Sequence, residues 1–156
     1  MTEPSYFIFV TMPQFTDSGS RLSSQEVLEQ RLAENRWAIY SNTRNKNRIK
    51  PGDKVVFYTS NRKTGGEISA AAQIKEFLRP EKNKYYLEEH GVVEYLVLFE
   101  DIKFFERPVS FRKLLENLSF CPQNIQKWGV ILMGGIRKLN TADYQIIISN
   151  AIYKLE

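Results

Sequence analysis

The apolar positions of this chain fall into two periods, and their order predicts its elements. Tyr6-Phe-Ile-Phe-Val10 is a compact aromatic and β-branched run that predicts a buried strand. Met12 to Arg21 holds Pro13, Asp17, Ser18 and Gly19, the chemistry of a loop. Ser23 with Glu26 three residues on forms a capping box, opening a helix in which Val27, Leu28, Arg31 and Leu32 keep the helical period to about Asn35. Trp37-Ala-Ile-Tyr40 leads into a polar, basic loop from Ser41 to Lys50. Pro51-Gly52-Asp53 then turns the chain into a strand over Lys54 to Tyr58. Asn61 to Gly66 is a further turn. Glu67 to Phe77 reads as its partner strand, because the strand-turn-strand context outweighs the helical leaning of Ala70 to Ala72.

The second half continues the mixture. Arg79 to Gly91 is charged and irregular, and Val92 to Phe105 alternates over a length that fits a long or bent strand. Pro108-Val-Ser110 opens a helix through Leu118, with Ser110 as cap and Leu114, Leu115 and Leu118 inward. Trp128 to Gly135 is apolar and glycine-bearing, either a strand or a tight loop over the core. Asn140 and Asp143 cap a last helix whose buried face is Ile147, Ile148 and Ile152. Strands and helices alternate without strict βαβ order. The expected class is therefore α+β, a mostly antiparallel or mixed sheet curled into a small barrel with helices outside it. With 156 residues and no repeat, low-complexity tract or linker, residues 1–156 are expected to form one domain.

Composition narrows the function by exclusion. Cys121 stands alone, which excludes an internal disulfide and any multi-cysteine zinc site. An intracellular, cytoplasmic protein is expected, since no basic region precedes the apolar run at Tyr6 and no stretch approaches a membrane span. His90 is the sole histidine and sits beside Glu88 and Glu89 without ligand spacing. Cys121 precedes Pro122 with no histidine near it in sequence. Gly134-Gly135 lacks the third glycine of a dinucleotide fingerprint, and no phosphate-loop pattern occurs. No residues present themselves for catalysis, and neither a metal nor a cofactor is expected.

What remains is charge set between aromatics. The formal net charge is +4 and the sequence pI about 9.1. From Arg44 to Lys63 run Arg44, Lys46, Arg48, Lys50, Lys54, Arg62 and Lys63, against Asp53 as the one acid. Asn42, Asn45, Asn47 and Asn61 alternate with them and can donate to phosphate or base edges. Such a stretch can neutralise several phosphates, or can simply keep the loop soluble. Trp37, Tyr40, Tyr58 and Trp128 bracket it; each either packs a core or joins others around a flat ligand.

Four segments in order resemble the EVE domain of the PUA-like superfamily: Trp37-Ala-Ile-Tyr-Ser-Asn42 with Arg48-Ile-Lys-Pro-Gly-Asp-Lys-Val-Val-Phe-Tyr-Thr-Ser60, Glu67 to Ile74, Phe105 to Leu115, and Lys127 to Leu139 followed by Thr141-Ala-Asp-Tyr144. The polar segment Met12 to Arg21 is longer than that family leads one to expect. The resemblance implies a PUA-like pseudobarrel of five or six strands flanked by helices, and a cleft holding a flipped-out, modified or plain base in an aromatic cage, as in the related YTH domains. It assigns Trp37, Trp128 and Tyr58 to the cage beside Tyr40. Ser41, Asn42 and Ser60 would read a base edge, and Met133 would pad the floor. Arg44, Lys46, Arg48 and Arg137 would hold flanking phosphates. The implied partner is DNA or RNA, with any nuclease or modification enzyme on a separate chain. A same-fold binder of a free nucleobase or nucleotide stays open, as does a cleft that receives a peptide.

Overall fold

The computed structural model describes residues 3–15, 18–61, 65–79, 87–88, 91–121, 123, 132 and 134–152. Nine strands and three helices follow along these residues: β1 Tyr6–Thr11, β2 Gln14–Phe15, β3 Arg21–Leu22, α1 Ser24–Glu34, β4 Trp37–Tyr40, β5 Lys54–Thr59, β6 Glu67–Leu78, β7 Leu87–Glu88, β8 Gly91–Ser110, α2 Phe111–Leu115, β9 Ile136–Leu139 and α3 Thr141–Ser149. The main sheet runs β4-β8-β6-β5-β1-β9. β1 and β5 are parallel, and the other pairs in this path are antiparallel. This is the expected α+β pseudobarrel with a mixed sheet.

Why the sheet curls is visible in its two longest strands. The pairing of β6 with β8 shifts register at Ile68/Ala70, Ala71/Gln73 and Ile74/Glu76. Each such bulge adds a residue on one side, bends the strand and increases its twist. The curl brings the two sheet ends toward each other. Trp37 and Ile39 of β4 and Ile136 of β9 accordingly meet in one cluster with Phe7, Phe9, Val55, Phe57, Val97 and Phe99. A face on which both sheet ends share a core is the concave one. Leu28 and Leu32 of α1 belong to the same cluster, so α1 fills the open side of the curl. The convex face carries Ile8, Val56, Tyr58 and Ile68 against Phe111, Leu114, Leu115 and Leu118 of α2 and the turns after it, with Ile147 of α3. Burial on both faces is the reason β1 and β5 read as unbroken apolar runs.

Local chemistry fixes the boundaries. Both capping-box bonds form at α1: the Glu26 amide donates to Ser23 Oγ at 3.1 Å, and the Ser23 amide to Glu26 Oε1 at 3.2 Å. Asn35 ends the helix in the left-handed region (φ 52°), and its side-chain amide both donates to and accepts from the backbone of Phe99. At Pro51-Gly52, Gly52 takes φ +95° and the Asp53 amide closes the turn onto the Lys50 carbonyl. Asp53 is fully buried, and its carboxylate accepts from the amides of Ser5 (2.9 Å) and Lys50 (3.0 Å).

Four expectations are corrected. Met12 to Arg21 is not all loop, because β2 and β3 pair there as a small hairpin. The helix capped by Ser110 is only Phe111–Leu115, and Pro108 and Val109 continue β8. Ile136–Leu139 is a strand, which the reading of the segment before it overlooked. Ile152 is 57% exposed rather than part of the last helix's buried face, since α3 is already capped at Asn150 and the chain leaves its axis there.

Candidate nucleic-acid interface

The loop between β4 and β5 bridges the gap between the sheet's two ends. The Thr43 hydroxyl accepts from the Tyr40 amide (2.9 Å), turning the chain out of β4. The Arg44 amide then donates to the Gly134 carbonyl (2.9 Å), and Asn45 Nδ2 to the Ile136 carbonyl at the start of β9 (2.9 Å). Asn45 sits at φ 63°, a left-handed geometry that asparagine tolerates better than most residues. The Arg48 amide closes back onto the Asn45 carbonyl, and Ile49 is buried in the concave core. On the β4 side, the Tyr95 hydroxyl donates to the Lys46 carbonyl (2.5 Å), and Lys46 pairs with Glu94 at 3.0 Å. Burial pushes the Tyr95 phenol up to about 12, with the Glu94 charge adding to the shift.

This clasp sorts the loop's polar residues. Ser41, Asn42, Arg44, Asn47 and Arg48 are exposed, whereas Lys46 is half-buried on Glu94. The Arg44 side chain lies directly over Gly134 (φ +97°), where an added Cβ would meet Arg44 Cβ at 2.7 Å. Three residues further on, Arg137 stands opposite Ile8 on the convex face, with its guanidinium 4.4 Å from the centre of the Phe120 ring. Burial holds Arg137 below its ordinary pKa; the Asp143 charge pulls it back up, and the Arg44 charge adds to the lowering. Two cations from separate segments thus share one side of the seam.

The clasp meets the C-terminal ends of the parallel strands. The Val10 amide donates to the Gly135 carbonyl (2.9 Å), and the Ser60 amide to the Thr11 carbonyl (3.4 Å). Ser60 Oγ is 2.5 Å from Ser24 Oγ in the first turn of α1. Backbone bonds therefore link Arg44, Gly134–Gly135, Val10–Thr11 and Ser60 into one rim, with Tyr40, Ser41 and Asn42 at its β4 side.

Two expected cage rings are not on that rim. Trp37 is 5% exposed, with its ring centre 5.2 to 6.0 Å from those of Phe57, Phe9 and Phe99 and Arg31 over its face at 5.0 Å. It is a core residue of the concave side. Tyr58, one residue past Phe57, points to the opposite face by the period of two. There it is 4% exposed, edge-on to Phe111, and burial pushes its phenol up to about 12. The two rings therefore do not converge. Tyr40 is half-buried at the exit of β4. Trp128, Met133, Arg62, Lys63 and His90 lie outside the described residues.

Sequence reasoning passed over Thr43, Glu94 and Tyr95, which shape the clasp, and counted Asn45 among donors to phosphate or base edges, whereas its Nδ2 donates to the Ile136 carbonyl. Lys46 and Glu94 are 48 positions apart, a separation that carries no sequence signal. Met12 at the rim could have been noticed as a large apolar side chain inside a polar stretch. Among the described residues, no group of three or more His, Cys, Asp or Glu is placed to hold a metal ion. No helix among them is long and apolar enough to cross a membrane.

Solved structures share this architecture. Human THYN1 in complex with 5-methylcytosine-containing DNA is 16% identical at a TM-score of 0.60, over 93% of this chain and 96% of that one. The DUF55 domain of human thymocyte nuclear protein 1 is 17% identical at 0.60, over 93% and 97%. A protein of Agrobacterium tumefaciens is 14% identical at 0.53, over 95% and 94%. At these identities the likeness is one of fold. No curated protein matches the sequence. The EVE domain, however, matches residues 5–150, from the start of β1 to the cap of α3, and the chain belongs to the EVE domain family.

Proposed function

We propose that this chain is a nucleic-acid-binding module that performs no chemistry itself. In this reading it takes a base, plain or modified, at the rim between the clasp and the ends of β1 and β5. Arg44 and Arg48, with Arg137 behind them, hold the flanking phosphates. One observation carries the proposal: two exposed arginines stand on a loop whose backbone is pinned at Gly134 and Ile136, so their charge is presented from a fixed frame. Preset donors give up less freedom on binding than donors on a loose loop. The methylated DNA bound to human THYN1 supports the ligand class.

Ser41, Asn42 and Ser60 are the candidates for reading a base edge, Tyr40 for stacking, and Trp128 and Met133 for completing the pocket. Lys46 is better placed to hold the loop than to hold a phosphate, because Glu94 already neutralises it.

The test is a titration with labelled oligonucleotides, with and without 5-methylcytosine, DNA and RNA, at several salt concentrations. Removing one arginine–phosphate pair should lower the slope of log affinity against log salt by about 0.7–0.9. Arg44→Ala and Arg48→Ala should each do so for every sequence alike. Because Trp37 is buried in the core, quenching of tryptophan emission by a bound base should disappear in Trp128→Phe. Binding that ignores salt, or quenching that survives in Trp128→Phe, would count against the respective part of the proposal.

A further inference from the structure

Met12 stands out on the rim. It is 57% exposed, and the other large exposed hydrophobics among the described residues, Leu78 and Ile152, lie at the end of β6 and beyond α3. Its backbone is fixed on both sides. Thr11 before it is fully buried, donates its hydroxyl to the Tyr58 carbonyl (2.7 Å) and accepts from the Ser60 amide. Pro13 after it restricts Met12 to extended geometry. An exposed apolar side chain thus stands on a backbone that is restrained on both sides. The two residues before Met12 tie it to the rim: the Thr11 carbonyl accepts from Ser60, whose hydroxyl meets that of Ser24, and the Val10 amide donates to Gly135, next to the Gly134 that binds Arg44.

We infer that Met12, backed by Pro13, is a wedge that enters the base stack of a duplex where a base has been drawn out toward the rim. The inference rests on the nucleic-acid reading above and adds to it the state of the ligand. Methionine and proline are among the residues that enter base steps as apolar wedges. An unbranched thioether fits the irregular gap left by a missing base. Drawing a base out costs stacking and pairing, and an apolar group filling the vacancy offsets part of that cost. Arg44 and Arg48 supply the charge that holds the backbone on either side. A single strand has no such vacancy, so the wedge acts on duplex alone.

The experiment compares wild type with Met12→Ala on one sequence in three forms: duplex, single strand, and duplex with an abasic site at the target. A 2-aminopurine placed next to the target base reports unstacking. Met12 is exposed, so the variant should keep the wild-type melting temperature. Met12→Ala should weaken duplex binding about tenfold or more, the equivalent of one buried methionine side chain. Single-strand affinity should stay within about twofold, by the same reasoning. The 2-aminopurine emission should rise with wild type and rise less with the variant. Equal losses on duplex and single strand, or no loss on either, would overturn the wedge while leaving the binding function standing. If wild type binds no oligonucleotide in a salt-dependent way, the nucleic-acid reading itself falls.

Discussion

Asn45 is the residue on which the clasp turns, and replacing it separates two contributions that the structure superimposes. Its side chain donates to the Ile136 carbonyl at 2.9 Å, and its backbone sits at φ 63°. Asn45→Gly removes the hydrogen bond and keeps the left-handed geometry available, at a cost of about 1 kcal/mol. Asn45→Ala loses the same bond and adds the strain of a Cβ in the left-handed region, about 1 kcal/mol more. Asn45→Asp tolerates the backbone but sets a carboxylate oxygen against the Ile136 carbonyl, so it should cost more than glycine does. The expected order of damage is thus Gly least, with Ala and Asp both worse.

Amide hydrogen exchange reads the effect where it occurs. The Arg44 and Arg48 amides are bonded to Gly134 and Asn45 within the clasp, whereas the amides of β5 lie in the sheet. A loss of about 2 kcal/mol should speed exchange at Arg44 and Arg48 about 30-fold in Asn45→Ala. Amides of β5 should stay near their wild-type rates. Nucleic-acid affinity should fall in the same order as the protection, because Arg44 and Arg48 lose their fixed frame. If Ala and Gly prove equal, the backbone strain contributes nothing. If Asp is as good as the wild type, the bond to Ile136 does not hold the loop.

Three further outcomes follow from the core. Gly66→Ala places a Cβ 2.1 Å from the Tyr58 hydroxyl at φ +93°, so it should destabilise by about 2–4 kcal/mol in denaturant unfolding, and less when Tyr58→Leu is made with it. Asp53→Ala removes a fully buried acceptor from the part-buried amides of Ser5 and Lys50 and should cost about 1–3 kcal/mol; retention of wild-type stability would mean other groups take over these donors. Tyr58 has its folded pKa raised from 10.0 to about 12, so its contribution is intact below pH 10 and is lost as pH rises from 10 through 12. The slope there, at most about 1.4 kcal/mol per pH unit for this group, should lessen in Tyr58→Phe when unfolding is followed across that range.

Much of the fold was legible because local chemistry and burial agree in these segments. Ser23 and Glu26 start α1, Asn35 ends it, and Pro51-Gly52-Asp53 turns the chain into β5. β9 was overlooked for a physical reason: it is a four-residue edge strand whose middle is Arg137-Lys138, so it carries no apolar period. Arg137 can sit there because Phe120 covers its guanidinium, a partner 17 positions earlier that no local pattern announces. That Trp37 and Tyr58 lie on opposite faces was hidden in the sequence for a related reason. Aromatic type marks a ring as large and apolar, and the side of the sheet it occupies is set by register with strands far away in sequence. Phe57 and Tyr58 look alike as neighbours in a run, yet one packs on Trp37 and the other on Phe111.

The candidate site was legible as a kind of chemistry and not as a place, and the difference lies in how the fold spends its charge. From sequence, Arg44 through Lys63 form one basic track, of which Arg62 and Lys63 lie outside the described residues. In the structure Lys46 meets Glu94, Lys50 lies 3.8 Å from Asp53, and Lys54 donates to Gln73. Such partly exposed pairs contribute little to stability, typically under about 1 kcal/mol each. Their consequence is selective: they hold lysines against the body of the protein and leave Arg44 and Arg48 turned outward. Arginine suits that position, since its planar fork can grip a phosphate with two hydrogen bonds where lysine offers a point charge. The loop therefore divides its cations by partner: the three lysines meet an acid or amide opposite and serve the seam, whereas Arg44 and Arg48 are the exposed arginines that the proposed phosphate contacts require.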